Sequence, residues 1–290
     1  MKSIFKKRDE VSSKEMLFQI IRYILKDEIH LENLQNREEL KLRIFHELKL
    51  GKGLLFSQKN KIFHISEIKD FRELRDLKIL KINNQKINKI DSLDIHKSLE
   101  FLDLSNNEIS IMFGLESLNK LKVLDLSHNR IFAISNLYKL ENLIELSLTN
   151  NPINEIKNLI GLNKLEILNL SSPNISEIKG LEQLTNLKNL NLSNNKITDV
   201  KGLEKLMNLE YLNLDSNLIS EIKGLEQLKN LKTLNLSNNR ISRIQGLENL
   251  RQLKILNLEK NQLTNEELSM SIKEMVAQSD HIKKDRDYSK

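Results

Sequence analysis

From Leu77 to Leu263 the chain repeats one 22-residue pattern nine times without an insertion. Each unit begins at a leucine: Leu77, Leu99, Leu121, Leu143, Leu165, Leu187, Leu209, Leu231 and Leu253. A unit this short cannot bury its own apolar side chains, so the units must stack and share one continuous core. The period therefore restricts these residues to a solenoid.

The pattern within a unit predicts a short strand followed by a turn. Unit four reads L-x-x-L-x-L-x-x-N-x-I-x-x-I-x-x-L from Leu143 to Leu159. Leucines two residues apart, such as Leu190 and Leu192, point to the same side of a strand. Strands of stacked units lie about 4.8 Å apart, so nine of them would form a parallel sheet roughly 40 Å long.

One position of the unit is asparagine in seven of the nine units. The chain leaves the strand there, and a buried amide can satisfy the backbone groups of the turn as donor and as acceptor. The row comprises Asn107, Asn129, Asn151, Asn195, Asn217, Asn239 and Asn261. Gln85 and Pro173 replace the asparagine in units one and five. Because proline offers no side-chain donor, unit five is predicted to be a weak point.

This spacing and period resemble the leucine-rich repeat. The second half of the unit, Ile-x-x-Ile-x-Gly-Leu-Glu-x-Leu from Ile175 to Leu184, is similar to the class that includes the regulatory subunit of type-one protein phosphatase and the bacterial internalins. The resemblance covers residues 77–263. It implies an α/β solenoid, an arc with short parallel strands on the concave face, short helical or 3-10 turns on the convex face, and helical caps. It also implies a protein-binding scaffold whose partner it does not identify.

Two capping-box signals, Ser12-x-x-Glu15 and Asn36-x-x-Glu39, predict helices before the repeats. Their apolar stripes favour a cap over the first coil, because terminal repeats need covering. The alternative is a helix that binds a partner.

Residues 51–76 predict a hairpin and a degenerate first coil. After the last repeat, Thr264-x-x-Glu267 predicts the start of a capping helix, followed by a polar tail expected to be disordered. The predicted divisions are residues 1–50, 51–76, 77–263, 264–278 and 279–290.

Cysteine is absent from all 290 residues, which favours a reducing compartment. The start of the sequence has no secretory signal, and no apolar run reaches the length of a membrane span. We therefore expect a cytoplasmic protein without membrane insertion.

The net charge of +6 is unevenly distributed. Residues 1–98 hold 22 Lys and Arg against 15 Asp and Glu, whereas residues 99–264 hold 19 of each kind. Only the N-terminal third could attract an acidic partner, and it lacks the interleaved aromatic residues on which nucleic acid bases stack. We expect no nucleic acid partner.

No nucleotide-binding or metal-binding motif is present, and we expect no cofactor. His128 is predicted to lie near Asp125 and Asp103 on the concave side. That grouping allows a metal or acid–base site, but a solvated histidine is favoured because no pocket is predicted around it. An enzyme is therefore disfavoured.

Departures from the consensus of the chain itself mark a candidate contact surface. Concave strand positions are apolar or charged in the first units and mostly Asn, Ser or Thr in the later ones. The predicted partner-binding residues are Lys78, Ile79, Lys81, Phe101, Asp103, Val123, Asp125, Glu145, Ile167 and Tyr211. Phe101 is the expected energetic centre, since aromatic anchors dominate many interfaces. Alternatively, these side chains merely suit strands and the face is unused.

A second set of departures lies on the outer side. Apolar residues replace polar ones at Phe113, Phe132, Tyr138 and Ile160. In units four to seven the outer side instead carries an acidic row, from Glu155 to Glu221, beside a lysine row. The opposite charges of the two rows are expected to offset repulsion within each on a solvated face.

These observations predict an intracellular protein-binding scaffold, adaptor or regulatory subunit that uses its concave face. The alternative is a constitutive structural subunit of a larger assembly, bound through an outer apolar patch. The expected partner is a protein, and the oligomeric state is left open.

Overall fold

The structure, a computed structural model, describes residues 53–55, 62–68, 71, 77–270 and 272–277. The chain divides into two compact units, Met1–Gly53 and Leu54–Lys290. The helices predicted for residues 12–50 and the tail predicted for residues 279–290 lie outside the described residues.

One three-residue strand per repeat, preceded by β1 at Gly53–Leu55, builds a single sheet. The repeats supply β2 (Ile79–Lys81), β3 (Phe101–Asp103), β4 (Val123–Asp125), β5 (Glu145–Ser147), β6 (Ile167–Asn169), β7 (Asn189–Asn191), β8 (Tyr211–Asn213), β9 (Thr233–Asn235) and β10 (Ile255–Asn257). The ten strands lie in chain order. Strands β2 to β10 are parallel, and each residue pairs with the residue one repeat further on, as Leu102 does with Leu124. The predicted parallel solenoid is confirmed, and each repeat is one coil of it, numbered 1 to 9.

The consensus leucines and isoleucines form one continuous core behind the sheet. Leu102, Leu124 and Leu146, at the same position of successive coils, are fully buried. Each packs on its equivalents in the neighbouring coils, so truncating one to alanine would leave a cavity and cost about 2–5 kcal/mol. The core is uniform from coil to coil and carries no information about function.

The asparagine row has the structural role predicted for it. The Asn195 amide donates to the carbonyls of Leu170 and Leu192, at 2.9 and 3.0 Å, and its oxygen accepts from the Ile175 N–H at 3.1 Å. These groups belong to two successive coils, so each asparagine ties its own turn to the preceding one. The six other asparagines of the row repeat the pattern.

Coil 5 departs from this arrangement at Pro173. The preceding residue has a positive φ in the eight other coils, but Ser172 does not, because proline disfavours that backbone conformation before it. The Ser172 hydroxyl instead donates to the carbonyls of Asn151 and Ile153, at 2.5 and 3.2 Å. These are not the carbonyls of Leu148 and Leu170 that an asparagine here would bond, and proline supplies no acceptor for the Ile153 N–H.

The outer side of coils 1 to 8 consists of two successive turns. In coil 2 the Leu118 N–H donates to the Leu115 carbonyl, and the Leu121 N–H donates to the Leu118 carbonyl, both at 3.0 Å. No helix interrupts residues 77–263. The sequence predicts short helical or 3-10 turns there, and the coils contain single turns only. A 22-residue unit leaves too few residues for a helix after its strand.

Both ends of the repeat array contribute apolar side chains to the core. Helix α1, Asn265–Ser269, begins with the predicted capping box: Thr264 Oγ1 accepts from the Glu267 N–H at 3.2 Å, and the Glu267 carboxylate accepts from the Thr264 N–H at 3.1 Å. A second helical segment follows at 272–277, and Met275 on it is buried in the core.

Before coil 1, a 3-10 turn at Ile65–Glu67 lies in a partial coil. Ile62, Ile65, Ile68 and Phe71 of this segment are buried in the same core as the repeats. Their three-residue spacing matches the outer half of a repeat, as expected for a degenerate first coil.

Candidate functional site

Two rows of side chains on the strand face distinguish one coil from the next. We call this surface, formed by the non-core side chains of β2 to β10, the strand face. The first row contains Ile79, Phe101, Val123, Glu145, Ile167, Asn189, Tyr211, Thr233 and Ile255. The second row contains Lys81, Asp103, Asp125, Ser147, Asn169, Asn191, Asn213, Asn235 and Asn257. Nine of the ten predicted partner-binding residues lie in these rows.

The first row changes in burial along the solenoid. Ile79 and Phe101 are each 2% exposed and Val123 is 5% exposed, whereas Ile167 and Tyr211 are half-buried. The three buried residues are direct neighbours in β2, β3 and β4. Phe101, which the sequence predicts as the energetic centre of an interface, is thus among the largest fully buried side chains and is not part of the solvent-accessible surface.

The second row brings two aspartates together in β3 and β4. Asp103 and Asp125 are register neighbours, and both are buried. Asp103 Oδ1 accepts from the Ser105 N–H at 2.9 Å, and its Oδ2 lies 3.0 Å from the Lys81 ammonium. The lysine of coil 1 therefore neutralises the aspartate of coil 2.

Asp125 has no such compensation among the described residues. Its Oδ1 accepts from the Ser127 N–H at 2.8 Å, but its Oδ2 is buried without a hydrogen-bond partner. Burial raises the pKa of Asp125 to about 6, opposed by the hydrogen bonds from Ser127 and reinforced by the neighbouring Glu145. A carboxyl group in this position is unfavourable for folding at neutral pH.

The asparagines of the later coils perform the local task of these aspartates without a charge. Asn191 Oδ1 accepts from the Ser193 N–H at 2.9 Å, and Asn213 Oδ1 accepts from the Asp215 N–H at 3.0 Å. An uncharged oxygen is therefore enough to satisfy the backbone after the strand. The carboxylates of coils 2 and 3 add charge that the turn does not require.

The tenth predicted residue, Lys78, lies just before β2, in a row that flanks the strand face. In that row acidic and basic residues alternate from Lys78 to Lys122 and from Glu166 to Lys232, and Lys122 contacts Glu100 at 2.8 Å. Tyr211 is also separate from the main predicted group, because β7 lies between it and Ile167 in β6. The structure thus places Lys81, Asp103 and Asp125 side by side in one row and leaves Lys78 and Tyr211 apart. In the other row the residues from Ile79 to Ile167 are successive neighbours.

The outer face carries a ladder of ion pairs in coils 4 to 7. Lys157 lies 2.8 Å from Glu155 within its coil, and Lys179 reaches Glu177 at 3.2 Å and Glu155 of the preceding coil at 3.5 Å. The ladder continues through Asp199, Lys201, Glu221 and Lys223. The hydrogen bond from Lys157 lowers the pKa of Glu155. The predicted offsetting of the two charged rows is confirmed.

A glycine–glutamate contact accompanies most of these outer turns. In coil 6 the Gly202 N–H donates to the Glu204 carboxylate at 3.1 Å. Gly202 has a φ of 96°, and a Cβ there would approach the Ile178 carbonyl oxygen to 2.1 Å, so the turn requires glycine. Equivalent contacts occur in coils 2, 5 and 7.

Coils 3 and 4 lack this contact, because Tyr138 and Ile160 stand where the glutamate would be. Asparagine replaces the glycine, and Asn158, with a φ of 60°, donates to the Ile134 carbonyl at 2.8 Å. The backbone turn is thus retained by other means, and the tyrosine and isoleucine project outward.

Five large apolar side chains are exposed on the outer face of coils 2 to 4. Ile111, Phe113, Phe132, Tyr138 and Ile160 are 58, 59, 58, 56 and 73% exposed. We call this set the outer apolar strip. Four of its members were predicted from the sequence. Ile111 was missed, although it occupies the position of Glu155 and Glu177 and the same comparison with the consensus identifies it.

The grouping of His128 with Asp125 and Asp103 that the sequence predicts does not form a metal site in the described residues. His128 is exposed, and its ring nitrogens lie 3.3 Å from the Asn150 amide, whereas Asp125 is buried. No group of three His, Asp or Glu side chains in this part of the chain could hold a metal ion. None of its helices is long and apolar enough to cross a membrane.

The sequence matches a family model described as Leucine Rich repeats (2 copies) at residues 97–139, 185–227 and 229–269. No curated protein sequence matches the chain.

Several solved structures share this fold. An internalin C2 from Listeria monocytogenes has 33% sequence identity and a TM-score of 0.60, and the match covers 64% of this chain and 83% of the internalin chain. An internalin InlF from the same organism has 27% identity and a TM-score of 0.66, over 76% of this chain. A leucine-rich-repeat protein from Leptospira interrogans has 28% identity and a TM-score of 0.62, over 77% of this chain. The chain spans 64% of the length of the latter two, less than two thirds.

Proposed function

The chain belongs to the leucine-rich-repeat family, and on that premise we propose that it is a non-enzymatic, protein-binding scaffold that acts as an adaptor or regulatory subunit. The contact surface is the strand face. We place the protein in a reducing, cytoplasmic compartment, which the absence of cysteine supports.

The observation that carries this proposal is the contrast between a uniform core and a varied strand face. The leucines of the core recur in every coil, and in coils 5 to 9 an asparagine supplies, without a charge, the oxygen that accepts from the turn after the strand. Asp125 performs the same task with a buried, unpaired carboxylate oxygen. Such a group does not stabilise the fold, since a buried polar atom without a hydrogen-bond partner lowers the free energy of unfolding by about 1–3 kcal/mol. The coil itself does not require this group, and because Asp125 is buried like Phe101, the direct contacts of a partner fall to its half-buried neighbours.

The half-buried residues are the ones a partner reaches directly. Glu145, Ile167 and Tyr211 combine a charge, an aliphatic side chain and an aromatic ring on a face that is otherwise mostly amide and hydroxyl. Tyrosine is favoured at the centre of interfaces because it buries much surface and retains a polar group. Tyr211 therefore replaces Phe101 as the leading candidate anchor.

A protein is the partner that the charges favour. Residues 99–264 hold equal numbers of acidic and basic side chains, so most of the strand face has no excess positive charge for a phosphate backbone. The acidic residues of the strand face in coils 2 to 4, Asp103, Asp125 and Glu145, also disfavour a nucleic acid partner.

Affinity capture with the full chain from its native cells, followed by binding measurements on each purified protein captured, tests the proposal. We expect Tyr211→Ala to weaken the Kd at least about 30-fold, as loss of a 2 kcal/mol anchor does. Asn189→Ala, a half-buried neighbour in the same row, is the matched control and should change Kd less than about threefold. Equal, small effects of both variants would contradict binding through this face.

A constitutive structural subunit of a larger assembly is the second candidate function, and the outer apolar strip is the observation that favours it. In that case Tyr138→Glu and Ile160→Glu, and not Tyr211→Ala, would abolish recovery of the captured protein.

A further inference from the structure

The outer apolar strip is a region in which two ordinary features of the solenoid are lost together. Coils 2 and 3 lack the ion ladder, and coils 3 and 4 lack the glycine–glutamate contact. Large apolar side chains replace the ladder residues in coil 2, at Ile111 and Phe113, and the glutamate in coils 3 and 4, at Tyr138 and Ile160. Exposed apolar surface of this kind marks a contact site when it is contiguous.

Stacking of the coils brings members of the strip side by side. Tyr138 and Ile160 occupy equivalent positions in adjacent coils, and a Cβ built on Gly161, next to Ile160, would lie 3.5 Å from the Tyr138 Cα. The Arg130 N–H donates to the Ile109 carbonyl at 2.8 Å, which places the next outward residues of the two coils, including Ile111 and Phe132, side by side.

The segments that carry the strip contain no charged side chain, and the Lys139 ammonium lies at its edge, 5.8 Å from the centre of the Tyr138 ring. Residues 109–115, 131–138 and 158–163 contain no Asp, Glu, Lys or Arg, whereas residues 175–182 of coil 5 contain three. A partner surface must therefore be apolar and uncharged at the centre of the contact. The strip ends at the ladder of coils 4 to 7, so it cannot extend along the whole solenoid.

We infer that the occupant of the outer apolar strip is a second copy of this chain, packed back to back about a two-fold axis. A two-fold contact sets each patch against its twin, which an uncharged patch allows without repulsion. At the edge, Glu108 and Arg130 lie 3.3 Å apart, so both signs of charge are present for pairing between copies. This contact leaves the strand face of both copies available for the proposed protein partner.

The available area is sufficient for such a dimer. Five large side chains, each more than half exposed, offer roughly 600 Å² per copy, given about 150–250 Å² for one such side chain. Two copies would bury roughly 1,200 Å², the lower limit for specific interfaces and therefore typical of a weak dimer.

Sedimentation velocity of the full chain between about 1 and 100 µM, the range in which a weak dimer dissociates, tests the inference. The mass is expected to rise from that of one copy to that of two. The double variant Tyr138→Glu/Ile160→Glu, which installs the residue of other coils, should weaken association at least about tenfold with an unchanged melting temperature. Met207→Glu, at a residue 57% exposed in coil 6 and outside the strip, is the matched control and should associate like the natural chain.

A natural chain that stays monomeric throughout this range overturns the inference, as does a folded double variant that associates undiminished. Equal disruption by Met207→Glu overturns it as well. Because the chain has no cysteine, single-cysteine variants provide a second measurement if the double variant does not fold. A short bis-maleimide should link two copies of Ile160→Cys and not two copies of Met207→Cys, and the reverse result contradicts the inference.

Discussion

In coils 1 to 3 the strand face is buried and carries Phe101 beside two aspartates, whereas in coils 5 to 9 the same rows are mostly half-buried and rich in asparagine. The outer face differs in the same way along the chain. Coils 2 to 4 expose the apolar strip, and coils 4 to 7 carry the ion ladder. The core behind both faces does not change.

The comparison separates two kinds of information within one repeat. Positions that hold coils together repeat because each coil meets the same neighbour, and they describe the fold. Accessible positions on the two faces can vary without loss of stacking, so their departures describe function, whereas the buried face residues of coils 1 to 3 also contribute to stability. In this chain the departures concentrate in the N-terminal half of the repeats.

The largest expected difference between the halves is in the first row of the strand face. Phe101→Ala should lower the free energy of unfolding by about 3–5 kcal/mol, as truncation of a fully buried phenylalanine does. Tyr211→Ala, in the same row but half-buried, should lower it by less than about 2 kcal/mol. Urea unfolding of the two variants measures the difference. If the losses are equal, the burial contrast between the halves does not exist in solution.

A pH dependence should follow from Asp125 in coil 3. Its pKa is raised from 3.8 to about 6 in the folded chain, so the folded state holds the proton more tightly than the unfolded state. The contribution of the protonated Asp125 to the free energy of unfolding is fully present below about pH 4. It is lost as the pH rises through 6, which lowers the free energy of unfolding by about 3 kcal/mol. Unfolding midpoints of Asp125→Asn and the natural chain should therefore converge toward pH 4 and diverge toward pH 7, with the variant more stable. A constant difference across this range would contradict the raised pKa.

The asparagine row should behave alike in both halves. Asn129→Ala and Asn195→Ala each remove donors to two carbonyls and an acceptor for one N–H, with nearly identical distances. Each should destabilise the fold by about 1–3 kcal/mol and leave partner affinity unchanged when measured on folded protein. Unequal losses would show that the halves differ in their core as well as in their faces, and lost binding with an unchanged melting temperature would reverse the structural assignment.

The smallest effect is expected on the outer ladder. Lys179→Met removes contacts to Glu177 and Glu155, but all three side chains are well exposed, and exposed ion pairs contribute little. The melting temperature should fall by no more than about 2 °C, and the difference should disappear in about 1 M salt. A larger, salt-resistant loss would assign the ladder a structural role that the apolar strip of coils 2 to 4 lacks.

The sequence alone was enough to predict the solenoid, its parallel strands, the asparagine contacts and the pairing of the charged rows. Each of these depends on a coil and its equivalent neighbour, so the period of 22 residues supplies the contact without knowledge of the rest of the chain. The capping box of Thr264 and Glu267 is local as well, and it too was predicted correctly.

Only the tertiary structure decided which departures are accessible. The sequence places Phe101, Asp125 and Tyr211 on one face but cannot tell that the first two are buried and the third is half-buried. It marks Pro173 as a weak point but does not reveal that the Ser172 hydroxyl bonds two carbonyls of the preceding coil there. Burial and hydrogen bonding of a face depend on every atom packed near it, whereas a repeat pattern records only the contacts that recur in each coil.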